Sequence, residues 1–273
     1  MPEFKFIQNQ ATKKWVIQAP RRAKRPIDAK TPQKICPFCL GQEGKESELY
    51  RVGGIEGDSN WQIRVLPNKY PFAPIHEIII HSPDHHKNFT ELDPSSVELI
   101  FKTYRQRFQT HKEKGKVYIF HNRGEGAGES LVHPHSQLVV IPDDLKAEIQ
   151  PLNPLDQNTT EMIQTINYNI FCPETSEWPD EVWIFPKQEG KVFGEISEPE
   201  IADLSVSLVK ILKILEIKHS KELAYNFYIY PDPNWYLRIM PRARVLGGFE
   251  LGTNIYVNTQ DPKETLNFLK EHF

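Results

Sequence analysis

Cysteine is scarce in this chain, with three residues in 273. That excludes the dense disulfide framework that holds small secreted domains together. No apolar run approaches the roughly 18 residues of a membrane helix. The opening stretch, MPEFKFIQNQATKKW, has no continuous apolar segment of the secretory type, so a cytoplasmic location is expected. Charge of neither sign dominates: 33 Lys and Arg against 36 Asp and Glu leave a net charge of −3. The whole-chain basic footprint of a nucleic-acid binder is therefore missing. What remains, 39% hydrophobic and 25% charged, is ordinary for a soluble globular protein and allows one large domain or two small ones.

The chain repeats itself. Residues 65–94, VLPNKYPFAPIHEIIIHSPDHHKNFTELDP, and residues 171–199, FCPETSEWPDEVWIFPKQEGKVFGEISEP, share an order of features. Each has a proline turn, an acidic residue opening an apolar run (Glu77, Glu181), a polar loop, and Phe-x-Glu (Phe89, Phe193) before an acidic–proline pair. Asp93-Pro94 and Glu198-Pro199 read as helix entrances with proline at the first helical position. Helical periodicity follows at Val97, Ile100, Phe101, Tyr104 and Phe108, and again at Ile201, Leu204, Leu208, Ile211, Leu212 and Leu215. Gly115 is expected to stop the first helix. Strands then follow in each copy, KVYIFHN and PHSQLVVI in one, AYNFYIY and YLRIM in the other. The expected fold is α+β, two tandem halves around an extended antiparallel sheet with flanking helices. The halves are 1–150, carrying the chemistry, and 151–273, degenerate.

The stretch NRGEGAGESLVHPHSQ, residues 122–137, occurs in the first half only. Alternation along a strand puts His133, His135 and Gln137 on one face, with Pro134, Ser136 and Leu138 on the other. Proline inside a strand requires an edge or a place where its missing N–H does no harm. The glycines are neither a Walker loop nor a dinucleotide fingerprint, since a strand follows them. They are suited to lining backbone amides around an anion, although Glu125 and Glu129 put carboxylates into the same loop. Cys36-x-x-Cys39 has the spacing of a zinc pair. The histidines available to complete it are His76, His81, His85, His86 and His133.

Taken together these segments resemble the galactose-1-phosphate uridylyltransferases, the transferase branch of the histidine-triad superfamily. That group includes ADP-glucose phosphorylases and dinucleoside-tetraphosphate phosphorylases. TKKWVIQAPRRAKRP is similar to the family's N-terminal arm, CPFCLGQE to its zinc pair and VLPNKYP to its nucleotide-pocket strand. HSPDHHKNFTEL is similar to its third-ligand loop, NRGEGAGESLVHPHSQ to its catalytic signature, and GGFELGTNIYVN to its sugar-facing segment. The resemblance implies that His135 is the nucleophile and that Gln137 holds the transferring phosphoryl oxygens without exchanging a proton. It implies zinc on Cys36, Cys39, His133 and His85, with His86 the rival for the third place. Asn122, Gly128 and Ser130 would bind phosphates, Arg22 and Arg25 the diphosphate, Asn68 the nucleoside, and Glu250 the hexose hydroxyls. The implied reaction moves a nucleoside monophosphate between UDP-glucose and a hexose 1-phosphate, in galactose metabolism, by a homodimer. Phosphorolysis of ADP-glucose or of a dinucleotide is the alternative, followed by hydrolysis of a nucleotide sugar. Lys69-Tyr70 after Asn68 departs from the uridylyl pattern. Asn234-Trp235-Tyr236 stands where many members bind a second metal, so no such site is expected.

Overall fold

A computed structural model describes residues 4–25, 35–152, 161–220 and 222–273. Pro26, the last residue of the arm motif, lies outside them. The N-terminal arm is a hairpin of β1 (Lys5–Gln8) and β2 (Trp15–Gln18). A ten-stranded sheet follows. The first half contributes β3 (Tyr50–Val52), β4 (Ile63–Pro67), β5 (Ile75–Ile80), α1 (Pro94–His111), β6 (Lys116–Arg123) and β7 (His135–Ile141). The second contributes β8 (Ile163–Gln164), β9 (Tyr168–Phe171), β10 (Val182–Pro186), α2 (Glu198–His219), β11 (Tyr225–Ile229) and β12 (Leu237–Pro241). Two short helices, α3 (Gly248–Thr253) and α4 (Pro262–His272), end the chain.

The strand order is β3-β4-β5-β7-β6-β11-β12-β10-β9-β8, and each pairing is antiparallel. From either edge the order is first, second, third, fifth, fourth strand of one half. The helix lies between the third and fourth strands in both. The halves therefore share a topology and join edge to edge through β6 and β11, where Phe120 pairs with Tyr228.

The helices cover one face of the sheet because their apolar stripes match its apolar face. Val97, Ile100, Phe101 and Tyr104 of α1 are fully buried, as are Ile201, Leu204, Leu208 and Ile211 of α2, in one core with Ile79, Leu138, Val182 and Ile239. Asp93 caps α1, its carboxylate accepting the Ser96 N–H at 2.9 Å. The second entrance differs by one residue from the expectation. Ser197 is the cap and Glu200 answers it, so Glu198 leads and Pro199 is second; a cap needs a side-chain acceptor, and the reciprocal Ser–Glu pair supplies it. Gly115 turns the chain after α1 at φ +130°, where a Cβ would meet the Ile141 carbonyl.

Strand β7 is interior, between β5 and β6, and not at an edge. Pro134 causes no loss there because it precedes the ladder, which starts at His135. Its carbonyl accepts the His81 N–H at 3.1 Å.

Glu77 turns from β5 toward α1, where Arg107 donates to it at 2.6 and 2.9 Å and His111 Nε2 lies 2.7 Å away. All three side chains are buried. Removing one member of such a pair strands a charge in the core, so Arg107→Leu is expected to cost about 3–5 kcal/mol. Equilibrium urea unfolding measures it. Glu77→Leu combined with Arg107→Leu should recover part of the loss, and a single variant as stable as wild type would refute the assignment.

Candidate active site

Two loops and the entry to β7 bring the first half's chemistry together. In the Cys36–Cys39 turn the Cys39 N–H reaches the Cys36 carbonyl at 3.3 Å. In the loop after β5, Asp84 accepts the His86 and Lys87 N–H groups at 2.9 and 3.1 Å, which fixes the turn that presents His85. His85 Nδ1 lies 3.2 Å from Cys39 Sγ. His133 Nδ1 lies 3.7 Å from Cys36 Sγ and 3.6 Å from Cys39 Sγ. The four donor atoms all fall within 4.8 Å of one another.

This donor set fits zinc. A tetrahedral ion with Zn–S near 2.3 Å and Zn–N near 2.0 Å sets its corners about 3.5 Å apart. His133 donates its other ring nitrogen, Nε2, to the Ser82 carbonyl at 2.9 Å, so Nδ1 is the bare nitrogen that a metal needs. Burial pushes the Cys36 thiol up to about 12, with the nearby Cys39 thiol adding to it. The Cys36 thiol there keeps its proton unless a cation is bound. Among the histidines considered from the sequence, His85 and His133 join the cysteines and His86 does not. His76 and His81 lie elsewhere, His76 beside Gln137 and His81 in the core beside Ser136.

Beyond this cluster, His135 opens β7 and is 6% exposed. Its Nδ1 donates to the His133 carbonyl at 2.8 Å, which leaves Nε2 as the free nitrogen. The His135 carbonyl accepts from His121 Nδ1 at 3.0 Å, and the Phe38 ring stands edge-on at 5.3 Å. Burial, together with the Arg25 charge, lowers the pKa of the imidazole. The ring is neutral near pH 7, with a lone pair on Nε2.

His135 lines a cavity of about 180 Å³ with Arg25, Asn68, Tyr70, Ser130 and Gln137. Its walls are mostly apolar, from Phe38, Leu66, Ile78 and Leu131. Gln137 is 8% exposed, and its Oε1 lies 2.9 Å from His76 Nε2. A larger cavity of about 460 Å³ opens on the same face of the sheet between the arm and the second half. Its lining is nearly all apolar, with no histidine or charged side chain, whereas the smaller one gathers His135, Arg25 and Gln137.

The other residues singled out from the sequence are placed as follows. Arg22 does not line the cavity: its Nη1 donates to the Tyr70 carbonyl at 2.5 Å and its guanidinium lies over Phe72 at 4.8 Å. Asn122 lines the larger cavity, its Oδ1 accepting from Asn226 at 2.8 Å. Gly128 gives its amide to the Glu125 carbonyl at 2.9 Å. The Ala127 and Glu129 amides turn to the Gly124 carbonyl, so these amides close the loop on itself and do not cradle an anion. That also explains Glu129, whose carboxylate accepts the Gly124 N–H at 2.8 Å. Glu250 is held by Arg244 at 2.9 Å and by the Gly247 N–H at 3.1 Å, and does not line the His135 cavity. Sequence reasoning missed Phe38, and it considered His76 only as a metal ligand. Their roles follow from strand register and from a loop folding back, neither of which has a local signal.

In the second half, register identifies the matching positions. Gln137 pairs with Ile78 and Phe120; Arg238 pairs with Trp183 and Tyr228. Tyr236 therefore stands where His135 stands. Its ring stacks on Trp183 at 4.2 Å, while Arg238 closes on Glu181 at 2.7 Å. The matching space is filled.

Residues 74–140 match the family described as galactose-1-phosphate uridyl transferase, N-terminal domain. The chain is 27% identical to an ADP-glucose phosphorylase of Arabidopsis thaliana over 320 residues, covering 95% of this chain and 90% of that one. It is 22% identical to a galactose-1-phosphate uridylyltransferase of Thermotoga maritima, covering 96% of each. The crystal structure of an ADP-glucose phosphorylase from Arabidopsis thaliana with bound ADP-glucose superposes with a TM-score of 0.74 and 26% identity, covering 98% of this chain and 99% of that one. A uridylyltransferase structure reaches 0.79 at 21% identity, covering 98% and 97%, a likeness of fold.

Purified wild-type protein is expected to carry about one zinc per chain. Cys36→Ser should lose it together with at least about 3 kcal/mol of stability, because ligand binding in a structural site is folding energy. Metal analysis alongside thermal unfolding checks both, and a metal-free wild type with full stability contradicts it.

Proposed function

The chain belongs to the galactose-1-phosphate uridylyltransferase family, and from that premise we propose that it transfers a nucleoside monophosphate between a nucleotide sugar and a phosphate-bearing acceptor. Residues 1–150 are the half that carries the chemistry and residues 151–273 the degenerate half. The observation that carries the reading is His135, a buried neutral imidazole with Nδ1 committed to a carbonyl and Nε2 free in a cavity shared with Arg25 and Gln137.

In the first step the Nε2 lone pair attacks the α-phosphorus and the bond to the leaving phosphate oxygen breaks, its electron pair departing with the sugar 1-phosphate. The nucleotide is then held on His135, whose Nδ1–H keeps the His133 carbonyl. In the second step an oxygen of the acceptor phosphate attacks the same phosphorus and Nε2 leaves with its pair. Neither step needs a proton transfer, which suits a neutral amide at position 137. Charge developing on the phosphoryl oxygens meets Arg25 and Gln137. Ser130, in the cavity wall, supplies a further hydroxyl. Zinc on Cys36, Cys39, His85 and His133 would act structurally, fixing the residue whose carbonyl sets the His135 tautomer.

For the nucleotide, the adenine reading comes first, reversing the order expected from sequence. The supports are the relative with bound ADP-glucose over nearly the whole chain and, for a nucleobase of either kind, the apolar walls at Phe38, Leu66 and Leu131. The acceptor is then inorganic phosphate. Uridylyl transfer from UDP-glucose to galactose 1-phosphate is the second reading, supported by the uridylyltransferase relative.

Incubation with ADP-glucose and with UDP-glucose, followed by intact-protein mass measurement, distinguishes the two. A covalent AMP adduct is expected, faster than any UMP adduct, and no adduct with either nucleotide would falsify the mechanism. His135→Ala should reduce transfer by at least about 1,000-fold, and activity within about tenfold of wild type removes the nucleophile assignment. Gln137→His places a titratable ring beside the intermediate, so slower transfer and a larger share of free nucleotide are expected. If both products fall in the same proportion, Gln137 does not decide between transfer and hydrolysis.

A further inference from the structure

We propose that His76 is a positioning residue for Gln137: its Nε2–H holds the Gln137 carbonyl oxygen, so that the amide N–H groups are the end presented to the phosphoryl group. This rests on the reading of His135 as carrier of the nucleotide.

The argument is one of donors and acceptors. His76 is 5% exposed and pairs with Val139 on β7, two residues from Gln137 on the same face. Diagonal neighbours across an antiparallel pair are within reach of long side chains. The Phe72 N–H points at His76 Nδ1 from 3.3 Å, so in the neutral ring Nδ1 is the acceptor and Nε2 carries the hydrogen. That hydrogen has the Gln137 Oε1 at 2.9 Å. Asn68 crowds this contact: its Oδ1 is taken by the Tyr70 N–H at 2.8 Å, which leaves its Nδ2 3.0 Å from His76 Nε2 and 3.4 Å from the same Gln137 oxygen. With Nδ1 occupied by the Phe72 N–H, Nε2 is a donor like Nδ2 and not its acceptor, so both turn their hydrogens to Gln137. Two donors therefore converge on Oε1, which has two lone pairs to offer. The Gln137 nitrogen is the end left for a ligand.

The ring is itself held. Phe72 packs against His76 at 4.3 Å, and the Arg22 guanidinium lies over Phe72 at 4.8 Å. Burial, with the charges of Arg22 and Arg25 behind it, pushes the His76 imidazolium down to about 4, so the ring stays neutral and keeps Nδ1 bare at pH 7. Without His76 the amide can turn end for end at little steric cost, and its oxygen would then oppose the phosphoryl oxygens. Arg22, placed by resemblance on the diphosphate, acts through this stack instead.

Two measurements on the full-length, zinc-loaded protein test it. In two-bond ¹H–¹⁵N spectra, the resonances lost in His76→Leu should show Nε2 protonated and Nδ1 bare between about pH 6 and 8. The Gln137 side-chain amide resonances should move in that variant. A proton on Nδ1, or an unmoved Gln137 amide, overturns the proposal whether or not the protein is active. The second measurement is rapid-quench formation of the adduct from ADP-glucose. His76→Leu should slow it about 100-fold at saturation while the half-saturating concentration shifts less than about threefold. His76→Gln, which can donate to the same oxygen, should recover at least about tenfold of that loss. His76→Leu with Gln137→Ala should be no slower than Gln137→Ala alone. An additive double variant, or His76→Leu within about threefold of wild type, overturns it. A wild type that forms no adduct overturns the proposed function instead, and the spectra then decide the His76–Gln137 contact.

Discussion

The hydrogen bond from His135 Nδ1 to the His133 carbonyl is the constraint on which the site depends. It spans one intervening residue, Pro134, whose restricted backbone limits how far the two histidines can move apart. It commits one imidazole nitrogen and so decides which remains free. Its acceptor belongs to a residue that would also be a metal ligand, so the Cys–His cluster and the proposed nucleophile are joined through a single carbonyl. The other end of the residue is fixed by His121, which donates to the His135 carbonyl. In the proposed mechanism, a nitrogen held from both sides in this way starts near its attack geometry, which is where proximity contributes most.

Behind β7 the core is more polar than its position suggests. Ser136 lies 2.5 Å from the Tyr104 hydroxyl and 2.8 Å from His81 Nε2, and His81 stacks on His121 at 5.3 Å. His81 Nδ1 and His121 Nε2 have no hydrogen-bond partner among the described residues. Each such buried group costs about 1–3 kcal/mol. Burial pushes the His121 imidazolium down to about 3, so both rings lie neutral in the core. The group that gains is the His135 carbonyl, oriented by a donor that apolar packing cannot provide.

The two halves show the same backbone put to different uses. Register puts Tyr236 and Arg238 where the first half has His135 and Gln137. There a ring stacked on Trp183 and an ion pair with Glu181 occupy the space. A buried ion pair adds little to stability, but filling the position avoids the cost of a cavity beside the strand. In the first half the equivalent space is left as a pocket.

Much of this was legible from residues near one another in the chain. The apolar spacings after Asp93 and Ser197 specify the two helices, because a 3.6-residue period can be buried on one face only by a helix. Cys36-x-x-Cys39 and His133-x-His135-x-Gln137 state their spacing directly. Tertiary structure decided the rest, since each remaining contact joins distant residues through register or loop closure. It selected His85 over His86, by the Asp84 turn. It closed the glycine loop on its own amides and drew Arg22 away to Tyr70 and Phe72. It brought His76 to Gln137 across 61 positions of sequence, a pairing that exists only because β5 lies beside β7 in that register.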